Sequence, residues 1–394
     1  MVKIMQRIYL DHNATTPVHP EVLEAMLPFM TEQFGNGSSI HTYGREARNA
    51  IDDAREQVAA LINAKSSSEI VFTSTGTEAD NYAIKGIAEL QQSRSGGNHI
   101  ITSAIEHHAV LHTCQYLEKR GFEVTYLPVD RYGRIQLDDL REAIRDETIL
   151  ISIMHANNET GVIEPMVEIC EIAQEQRIPV HTDAVQSVGK LPVDVQALGV
   201  SMLSLSAHKI YGPKGIGALY LRRGTRLENL LHGGSHERNR RAGSENVPSI
   251  VGIGQAAAVA KKDREANIEH LNQLTGKLRQ GLHEGIDYIH ENSDPSNSLP
   301  GTLNISFEYI EGESLILRLD MEGICVSTGS ACTSGSMEPS HVLAALGLPP
   351  QLAQGTVRFS LGKDNTEAEI DEVIEKVPKV VEQMRGMSPA YKKL

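Results

Sequence analysis

The stretch Ser206-Ala207-His208-Lys209 comes directly after the apolar run 200–205, where a buried strand is expected to open into a loop. A lysine amine attacks a carbonyl only when it is deprotonated, and desolvation beside another cationic group lowers its pKa. The position of Lys209, next to His208 at the end of a strand, therefore predicts an amine that forms a Schiff base. An ordinary surface lysine is the alternative interpretation.

A second apolar run, 178–180, ends in the polar group His181-Thr182-Asp183-Ala184-Val185-Gln186. Ligands of open α/β sheets bind beyond the carboxyl ends of the strands, so Asp183 and Lys209 are expected to meet in one crevice. A lysine Schiff base and a carboxylate for a pyridinium nitrogen are what pyridoxal phosphate requires, because the protonated ring is the electron sink. The pair therefore indicates an enzyme that uses this cofactor.

Length and composition restrict the class of protein. The 394 residues exceed the roughly 250–300 that one core usually serves, so two domains are expected. A hydrophobic fraction of 40%, a charged fraction of 22% and the lack of an apolar run of about 18 residues are typical of a soluble protein with no membrane span. The net charge of −14, from 37 basic and 51 acidic residues, disfavours direct binding of nucleic acid.

The cysteines and histidines show no metal-binding pattern. Two histidine pairs have i,i+4 spacing, His108 with His112 and His232 with His236, but neither carries the glutamate of the zinc-protease helix. No metal site is therefore predicted. A reducing, cytoplasmic compartment is predicted because the cysteines lack the Cys-x-x-Cys spacing of a zinc ribbon and form no disulfide framework; they are Cys114, Cys170, Cys325 and Cys332.

Apolar and helical segments alternate along the first two thirds of the chain. Apolar side chains at steps of three and four predict an amphipathic helix over residues 45–64. Seven apolar runs then alternate with helical stretches, which predicts an α/β fold with a mainly parallel seven-stranded sheet flanked by helices. Either direction stays open for the last run, and the runs are 70–72, 99–103, 123–127, 149–154, 179–181, 200–205 and 217–221.

The pattern changes after about residue 260, which predicts a smaller α+β domain. Its predicted elements are a long polar helix over 260–281, strands over 302–307, 324–327 and 356–361, and helices over 313–321, 341–346 and 367–384, with a loop at 293–301. The expected organisation is an N-terminal arm of residues 1–17 that joins the small domain, a large domain of 18–260, and the small domain of 261–394.

A predicted helix opens at Ser74-Thr75-Gly76-Thr77-Glu78-Ala79-Asp80-Asn81, directly after the run 70–72. The unpaired amides of a helix N-terminus, together with the helix dipole, bind phosphate. Gly76 and Thr77 are therefore candidate phosphate ligands. A plain helix cap, with Thr77 and with Asp80 three residues later, is the alternative interpretation.

Two further strand ends carry candidate residues. His107, in Glu106-His107-His108, follows the run 99–103, where a histidine can stack on a flat cofactor ring and carry protons near neutral pH. Asn158, in Asn157-Asn158, follows the run 149–154, where an amide can donate to a ring oxygen. A histidine at a helix start and paired asparagines in a turn are the alternatives.

Two residues of the predicted small domain suit work on a substrate. Cys332, in Ser330-Ala331-Cys332-Thr333-Ser334, lies in a stretch of small polar residues that predicts a loop, and a thiolate there can attack a substrate sulfur. Arg358, in the predicted strand 356–361, can bind a substrate carboxylate through two parallel bonds. An inert surface thiol and an exposed strand arginine are the alternatives.

Together these segments resemble the NifS/IscS-type cysteine desulfurases, pyridoxal-phosphate enzymes of aminotransferase class V. The resemblance also includes Tyr9-Leu10-Asp11 and Ala14-Thr15-Thr16-Pro17, and it extends nearly to the C-terminus. It implies the pyridoxal-phosphate fold type I and a homodimer. The long cysteine loop resembles the group that serves general iron-sulfur assembly.

The resemblance implies a role for each matching residue. Lys209 holds the cofactor, Asp183 contacts its ring nitrogen, and His107 stacks on the ring. Gln186 and Asn158 bind the ring oxygen. The phosphate ligands are Gly76, Thr77, Ser206 and His208, joined by Ser244 of the other subunit, where the family commonly has threonine.

The implied reaction takes sulfur from L-cysteine. The substrate amine displaces Lys209, which then removes the α-proton, while Arg358 and Asn158 fix the substrate. Cys332 attacks the substrate sulfur, which leaves a persulfide on Cys332 and an enamine that is reprotonated to alanine. The sulfur passes to an acceptor for iron-sulfur assembly or tRNA thiolation, with a transient contact between Cys332 and a cluster.

Two other functions fit part of the pattern. A selenocysteine lyase or an aminotransferase on the same fold keeps Lys209 and Asp183 but needs no thiol at Cys332. A non-catalytic partner protein of the same fold needs none of the three. The presence of every chemical residue argues against the last of these.

Overall fold

The structure is a computed structural model that describes residues 7–328, 340–389 and 391. Its strands, in chain order, are β1 (Ile8–Tyr9), β2 (Ile70–Thr73), β3 (His99–Ser103), β4 (Glu123–Leu127), β5 (Thr148–Ser152), β6 (Val180–Asp183), β7 (Met202–Ser206), β8 (Gly217–Leu221), β9 (Ile289–Glu291), β10 (Thr302–Phe307), β11 (Ile324–Cys325) and β12 (Thr356–Ser360). Its helices are α1 (Pro20–Thr31), α2 (Thr42–Leu61), α3 (Gly76–Ser95), α4 (His108–Glu118), α5 (Leu137–Ala143), α6 (Met166–Glu175), α7 (Val195–Leu198), α8 (Val247–Gly285), α9 (Gly312–Met321), α10 (His341–Ala345), α11 (Pro350–Gln354) and α12 (Glu367–Met387).

The central sheet has seven strands in the order β2-β8-β7-β6-β5-β3-β4. Strand β8 runs antiparallel to both of its neighbours, β2 and β7, whereas every other pair is parallel. Residues 207–216, which include one turn of 3-10 helix, connect β7 to β8. A parallel return would need a longer crossover of about a dozen residues or more. The seven predicted runs are these seven strands, so the predicted α/β fold with a mainly parallel sheet is confirmed.

Helices cover both faces of this sheet because alternate side chains of each strand are apolar on opposite sides. Helix α3 buries Ala79, Tyr82 and Ala83 in a core that includes Leu150 and Met202 of one face. A larger core on the other face joins strand residues such as those at 70, 151 and 203 to helices α2, α6 and α8. The predicted helix over 45–64 is α2, which begins at Thr42 behind an N-cap at His41.

The C-terminal third has its own buried core and its own sheet. An antiparallel sheet has the order β12-β10-β9, and helices α9 and α12 pack with it in one apolar core. Strand β11 is shorter than the predicted strand over 324–327. It does not belong to this sheet and pairs with β1 in a sheet of two strands. Strand β9 and helix α11 were not predicted, because three and five residues are too few to show a period.

Helix α8 is one continuous helix of 39 residues, although only its polar second half, 260–281, is predicted from the sequence pattern. Most side chains in its first half are small or apolar, so they do not alternate with polar ones at a helical period. The helix contributes Ile250 and Ile253 to the large core and Leu274 and Leu278 to the C-terminal core. The domain boundary between 260 and 261 falls inside it and stays a prediction.

The N-terminal segment packs on the C-terminal third before the chain enters the large core. Strand β1 pairs in parallel with β11, and Asn13 N donates to Ser360 Oγ at 3.0 Å. Ile8 and Leu10 belong to the C-terminal core. In the part of the chain that the structure describes, no helix has the length and apolar character needed to cross a membrane.

Candidate active site

The carboxyl ends of the parallel strands bring together residues that the sequence singled out. Asp183 is the last residue of β6, and Ser206 is the last residue of the adjacent β7. Both side chains are buried. Lys209 follows in a single turn of 3-10 helix over Ala207–Lys209, which aims the lysine back toward this edge of the sheet.

Asp183 and Lys209 interact, as predicted from the two strand ends. Burial raises the pKa of Asp183 to about 6, although the N–H of Val185, at 2.9 Å from Oδ1, and the positive charge of Lys209 both favour the carboxylate. A buried carboxyl of this kind ionises fully only when a positive charge approaches it. The pair therefore has the electrostatics that a pyridinium ring needs from its protein partner.

His107 lies at the same edge, where β3 gives way to α4. It is the N-cap of α4, and its Nδ1 accepts a hydrogen bond from Ala109 N at 3.1 Å. Burial, and then the positive charge of Lys209, lowers the pKa of His107 to about 4. The imidazole is therefore neutral at physiological pH, and its flat ring lies within electrostatic reach of the lysine amine. His107 therefore caps a helix, as the alternative interpretation had it, whereas its stacking on a cofactor ring stays a prediction.

Helix α3 begins at Gly76, but its cap is Thr75 and not Thr77. Thr75 Oγ1 accepts from Glu78 N at 3.0 Å, which corrects the predicted pairing of Thr77 with Asp80. The cap lies two positions earlier than expected because Thr75 is the last residue with extended backbone angles. The first amides of the helix, at Gly76 and Thr77, then have no acceptor within the helix and point out of its end.

The N-terminus of α3 lies so close to Val185 and to the end of β7 that any side chain at Gly76 would force a shift. A Cβ atom at Gly76 would lie 2.8 Å from Val185 Cγ2 and 3.3 Å from Ser206 Cβ. This contact places the helix amides beside the Ser206 hydroxyl. A helix terminus, a hydroxyl, a buried carboxyl, a neutral imidazole and a lysine amine are the set of groups that pyridoxal phosphate requires, so these residues fit the cofactor.

The N-terminal segment forms one wall of the site, a role that the sequence pattern did not predict. Lys209 Nζ donates to the backbone oxygens of Asn13 and Ala14. His208 is held in the same way, since its Nδ1 lies 3.1 Å from Thr15 Oγ1. Burial, followed by the charge of Lys209, lowers the pKa of His208 to about 4. No local period marks such a segment, because its partners are all distant in sequence.

Gln186 and Lys190 connect this wall to the end of β6. Gln186 Nε2 donates to Asn13 O at 2.9 Å, and Lys190 Nζ donates to Asn13 Oδ1 at 2.7 Å and to Gln186 Oε1 at 3.0 Å. Burial, with the charges of Lys209 and Arg358, lowers the pKa of Lys190 to about 7. The sequence pattern missed Lys190, although its position four residues after Gln186 was a usable signal.

Arg358 is not the exposed strand arginine that was one interpretation of the sequence. Its side chain is 2% exposed, with Nη2 at 2.7 Å from Asp11 Oδ1 and Nη1 donating to Asn158 O at 3.0 Å. Arg358 therefore ties the N-terminal segment to the loop that carries Asn158. A substrate carboxylate would reach this guanidinium only by sharing it with Asp11.

Two predicted residues are not tied to the site by the described structure. Ser244 is exposed on the single chain, so its contribution to the site of another subunit stays a prediction. Cys332 lies outside the described residues, and its role as the nucleophile stays a prediction as well.

Comparison with known proteins identifies relatives over almost the whole chain. The profile of the aminotransferase class-V family matches residues 8–373. The cysteine desulfurase IscS of Methanosarcina thermophila is 56% identical over 385 residues, which cover 97% of this chain and 94% of the relative.

Solved structures agree with this relationship. A NifS-like protein superposes with a TM-score of 0.90 at 41% identity, over 96% of this chain and 100% of that one. A structure of SspA in complex with cysteine superposes with a TM-score of 0.78 at 42% identity, over 91% of this chain and 99% of that one.

Proposed function

Because this chain belongs to the aminotransferase class-V family and, within it, to the cysteine desulfurases, we propose that its site takes the sulfur from L-cysteine and leaves L-alanine. The enzyme depends on pyridoxal phosphate. The observation that carries the proposal is the meeting of Lys209, Asp183 and His107 at one edge of the sheet. These residues come from three separate strand ends, and no packing requirement brings an amine, a carboxyl and an imidazole together there.

The cofactor, when bound, supplies an aldehyde that condenses with an amine and a ring that takes up the electron pair released at the substrate α-carbon. In our proposal Asp183 holds the ring nitrogen, His107 covers the face of the ring, and Gln186 and Asn158 bind the ring oxygen. The proposed phosphate ligands are Gly76, Thr77, Ser206 and His208, with Ser244 of a second subunit.

Lys209 has two proposed tasks, to hold the cofactor and to move the α-proton of the substrate. Its amine is held by the carbonyls of Asn13 and Ala14, which fix the direction of the side chain without neutralising it. A neighbouring neutral His107 gives a proton acceptor or donor within the same small volume. Gln186 Nε2 donates to Asn13 O, which holds in place the carbonyl that accepts from the lysine.

Arg358 is the proposed ligand of the substrate carboxylate. Its guanidinium already binds Asp11 at 2.7 Å, so the carboxylate of L-cysteine would join an existing ion pair. Lys190 also lies close, and because its pKa is lowered to about 7, an incoming carboxylate would favour its protonated form. A planar guanidinium donates to two carboxylates along different edges, which an ammonium group does less well.

Cys332 is the proposed sulfur acceptor. Its thiolate attacks the substrate sulfur, so that an S–S bond forms as the C–S bond breaks and the electron pair returns to the substrate carbon skeleton, which takes up a proton and leaves as alanine. The persulfide then passes its sulfur to an acceptor protein for iron-sulfur assembly, with tRNA thiolation as a second use and a transient contact with the growing cluster.

We further propose a cytoplasmic homodimer, because Ser244 is exposed on the single chain and the described cysteines are free thiols.

The test is turnover of L-cysteine by the purified protein after addition of pyridoxal phosphate. We expect visible absorption from the bound cofactor, alanine as the product, and the mass of one additional sulfur atom on the peptide that contains Cys332. Cys332→Ala should keep the visible absorption and lose sulfide release, whereas the matched control Cys325→Ala should keep both. Lys209→Ala should lose the absorption.

Other outcomes would identify the alternatives. Unchanged sulfide release from Cys332→Ala would remove the thiol from the mechanism, and turnover of selenocysteine alone would indicate a selenocysteine lyase. Formation of a keto acid with consumption of a second keto acid would indicate an aminotransferase. A protein that binds no cofactor would be a non-catalytic partner.

A further inference from the structure

Lys190 lies between two carboxamides just beyond the carboxyl end of β6. Its Nζ donates to Asn13 Oδ1 at 2.7 Å and to Gln186 Oε1 at 3.0 Å. In the part of the chain that the structure describes, this half-buried ammonium forms no ion pair with a carboxylate, and the charges that act on it most strongly, those of Lys209 and Arg358, are positive. Desolvation of an unpaired cation opposes folding, so its place here indicates a role other than stability.

An ammonium group carries three donors and no acceptor, so only the oxygen of a carboxamide can face it. The nitrogen of each of the two carboxamides then faces the other way. Asn13 Nδ2 donates to Asn158 O at 3.2 Å and to Thr302 Oγ1 at 3.0 Å. Gln186 Nε2 donates to Asn13 O at 2.9 Å. One cation therefore selects the orientation of two carboxamides.

Both carboxamides lead to groups of the proposed site. Asn158 O, which accepts from Asn13, also accepts from Arg358 Nη1 at 3.0 Å. Asn13 O, which accepts from Gln186, also accepts from the amine of Lys209. A continuous set of hydrogen bonds therefore joins the ammonium to the proposed ligand of the substrate carboxylate on one side and to the proposed cofactor lysine on the other.

We propose that Lys190 is a positioning residue whose ammonium holds the carboxamides of Asn13 and Gln186 with their nitrogens toward the site. The inference rests on the proposed function, because it explains how a ligand of the ring oxygen is kept in place. An amide nitrogen carries two hydrogens, so Gln186 Nε2 has one for Asn13 O and one for the ring oxygen. Without the ammonium both amide oxygens lose a donor, and neither carboxamide keeps a fixed orientation.

The experiment follows visible absorption against pH in the full chain loaded with pyridoxal phosphate, because the bound cofactor changes colour when it loses a proton. The ring oxygen carries more negative charge after that loss, so a donor to the ring oxygen lowers the pH at which the change occurs. Lys190→Met, which keeps a long side chain but has no donor, should raise this midpoint by about one pH unit or more. Lys190→Arg, which keeps both the charge and the donors, should restore much of the difference.

A double-mutant cycle separates positioning from charge. Gln186→Leu removes the proposed ligand of the ring oxygen and should itself raise the midpoint. If Lys190 acts through Gln186, adding Lys190→Met to Gln186→Leu should change the midpoint by no more than about 0.3 units. An equal rise in both backgrounds would show that Lys190 acts through its charge alone and would overturn the inference, as would an unchanged midpoint in Lys190→Met.

A matched control is Lys277→Met, which removes an ammonium that binds Glu367 and Asp371 on the surface. Its midpoint should equal that of the unchanged protein, and a rise like that of Lys190→Met would contradict the inference. If Lys190→Met does not fold, Lys190→Gln, which is shorter and uncharged, takes its place in the cycle. Coupling to Gln186→Leu is again expected, and additive effects would overturn the inference. Failure of the unchanged protein to take up the cofactor would instead contradict the proposed function.

Discussion

The amine of Lys209 donates a hydrogen bond to the carbonyl oxygen of Ala14 at 2.7 Å, although 195 residues separate the two in sequence. The adjacent Asn13 uses both ends of its side chain in the same place. Its Nδ2 donates to Asn158 O and Thr302 Oγ1, and its Oδ1 accepts from Lys190. The N-terminal segment is therefore a structural part of the site.

Replacement of Asn13 should weaken the protein and the site together. Asn13→Ala removes three hydrogen bonds and leaves Thr302 Oγ1 buried without this partner, so we expect a loss of about 1–3 kcal/mol in the free energy of unfolding. The KM for L-cysteine should rise because Asn158 loses a support. Urea unfolding and steady-state kinetics measure the two effects. Asn98→Ala, which removes a single bond to Gly121 O, is the control, and an equal loss there would contradict the prediction.

Gly76→Ala should reduce cofactor affinity. The added methyl group would meet Val185 Cγ2 at 2.8 Å and Ser206 Cβ at 3.3 Å, so we expect the first turn of α3 to shift away from both, at a cost of about 1–3 kcal/mol. We expect about a tenfold or greater rise in the dissociation constant of pyridoxal phosphate, measured by absorbance titration.

Gly276→Ala is the matched control for that substitution. Gly276 lies inside α8, and nothing lies within 4 Å of a Cβ built there. Alanine is the better helix former, so this variant should gain up to about 1 kcal/mol and bind the cofactor normally. A Gly76→Ala protein with unchanged affinity would show that the helix end tolerates the displacement.

Replacing only one partner of the ion pair between Arg55 and Glu237 should lower the free energy of unfolding strongly. Both side chains are buried, the two nitrogens lie 2.6 and 2.8 Å from the carboxylate oxygens, and Glu237 also accepts from Phe72 N. Arg55→Met leaves a buried, unpaired carboxylate and should cost about 3–5 kcal/mol in urea unfolding. Arg55→Met combined with Glu237→Gln should recover part of this loss.

An exposed pair provides the comparison for that measurement. Lys379 and Glu375 lie 2.7 Å apart on the surface of α12. Lys379→Met should change the free energy of unfolding by about 0.5 kcal/mol or less. Equal costs for Arg55→Met and Lys379→Met would contradict the prediction that burial sets the size of the effect.

Glu106→Gln should change how stability depends on pH. Burial raises the pKa of Glu106 to about 8 from its ordinary 4.5, so the folded state keeps a proton that the unfolded chain releases between these values. The group therefore stabilises the fold below about pH 4.5, and this contribution is lost as the pH rises through 8. Between about pH 5 and 7.5 the loss is about 1.4 kcal/mol per pH unit, and Glu106→Gln should remove it. Urea unfolding at several pH values measures the slope, and parallel slopes for the two proteins would show that Glu106 ionises normally.

The central sheet could be predicted from sequence because each of its strands is a short apolar run that ends in a polar group. That pattern is local, and on its own it predicts that Asp183, His107 and Lys209 lie at one edge of the sheet. The elements of the C-terminal third were predicted less completely from the sequence. Strand β9 and helix α11 are too short to show a period, and the first half of α8 is mostly small or apolar.

Sequence reasoning missed Asn13 because its partners are far away along the chain. Asn13 contacts Gln186, Lys190 and Thr302, and no spacing rule connects such positions. Arg358 was identified as an arginine but not as a buried one, because its burial depends on Asp11. The cap of α3 was placed two residues late because Thr75 and Thr77 are equally good capping residues in composition.

The attachment of the N-terminal segment to Ser360 has a consequence for biosynthesis. The ribosome makes residues 8–16 well before residues 302–360, yet β1 pairs with β11, and Asn13 bonds with Thr302 and Ser360. The large core can form while translation continues, since domains generally fold as they emerge. We therefore expect the N-terminal wall of the lysine pocket to take its final place only after residues 302–360 have been made, so that the reactive centre is completed late in synthesis.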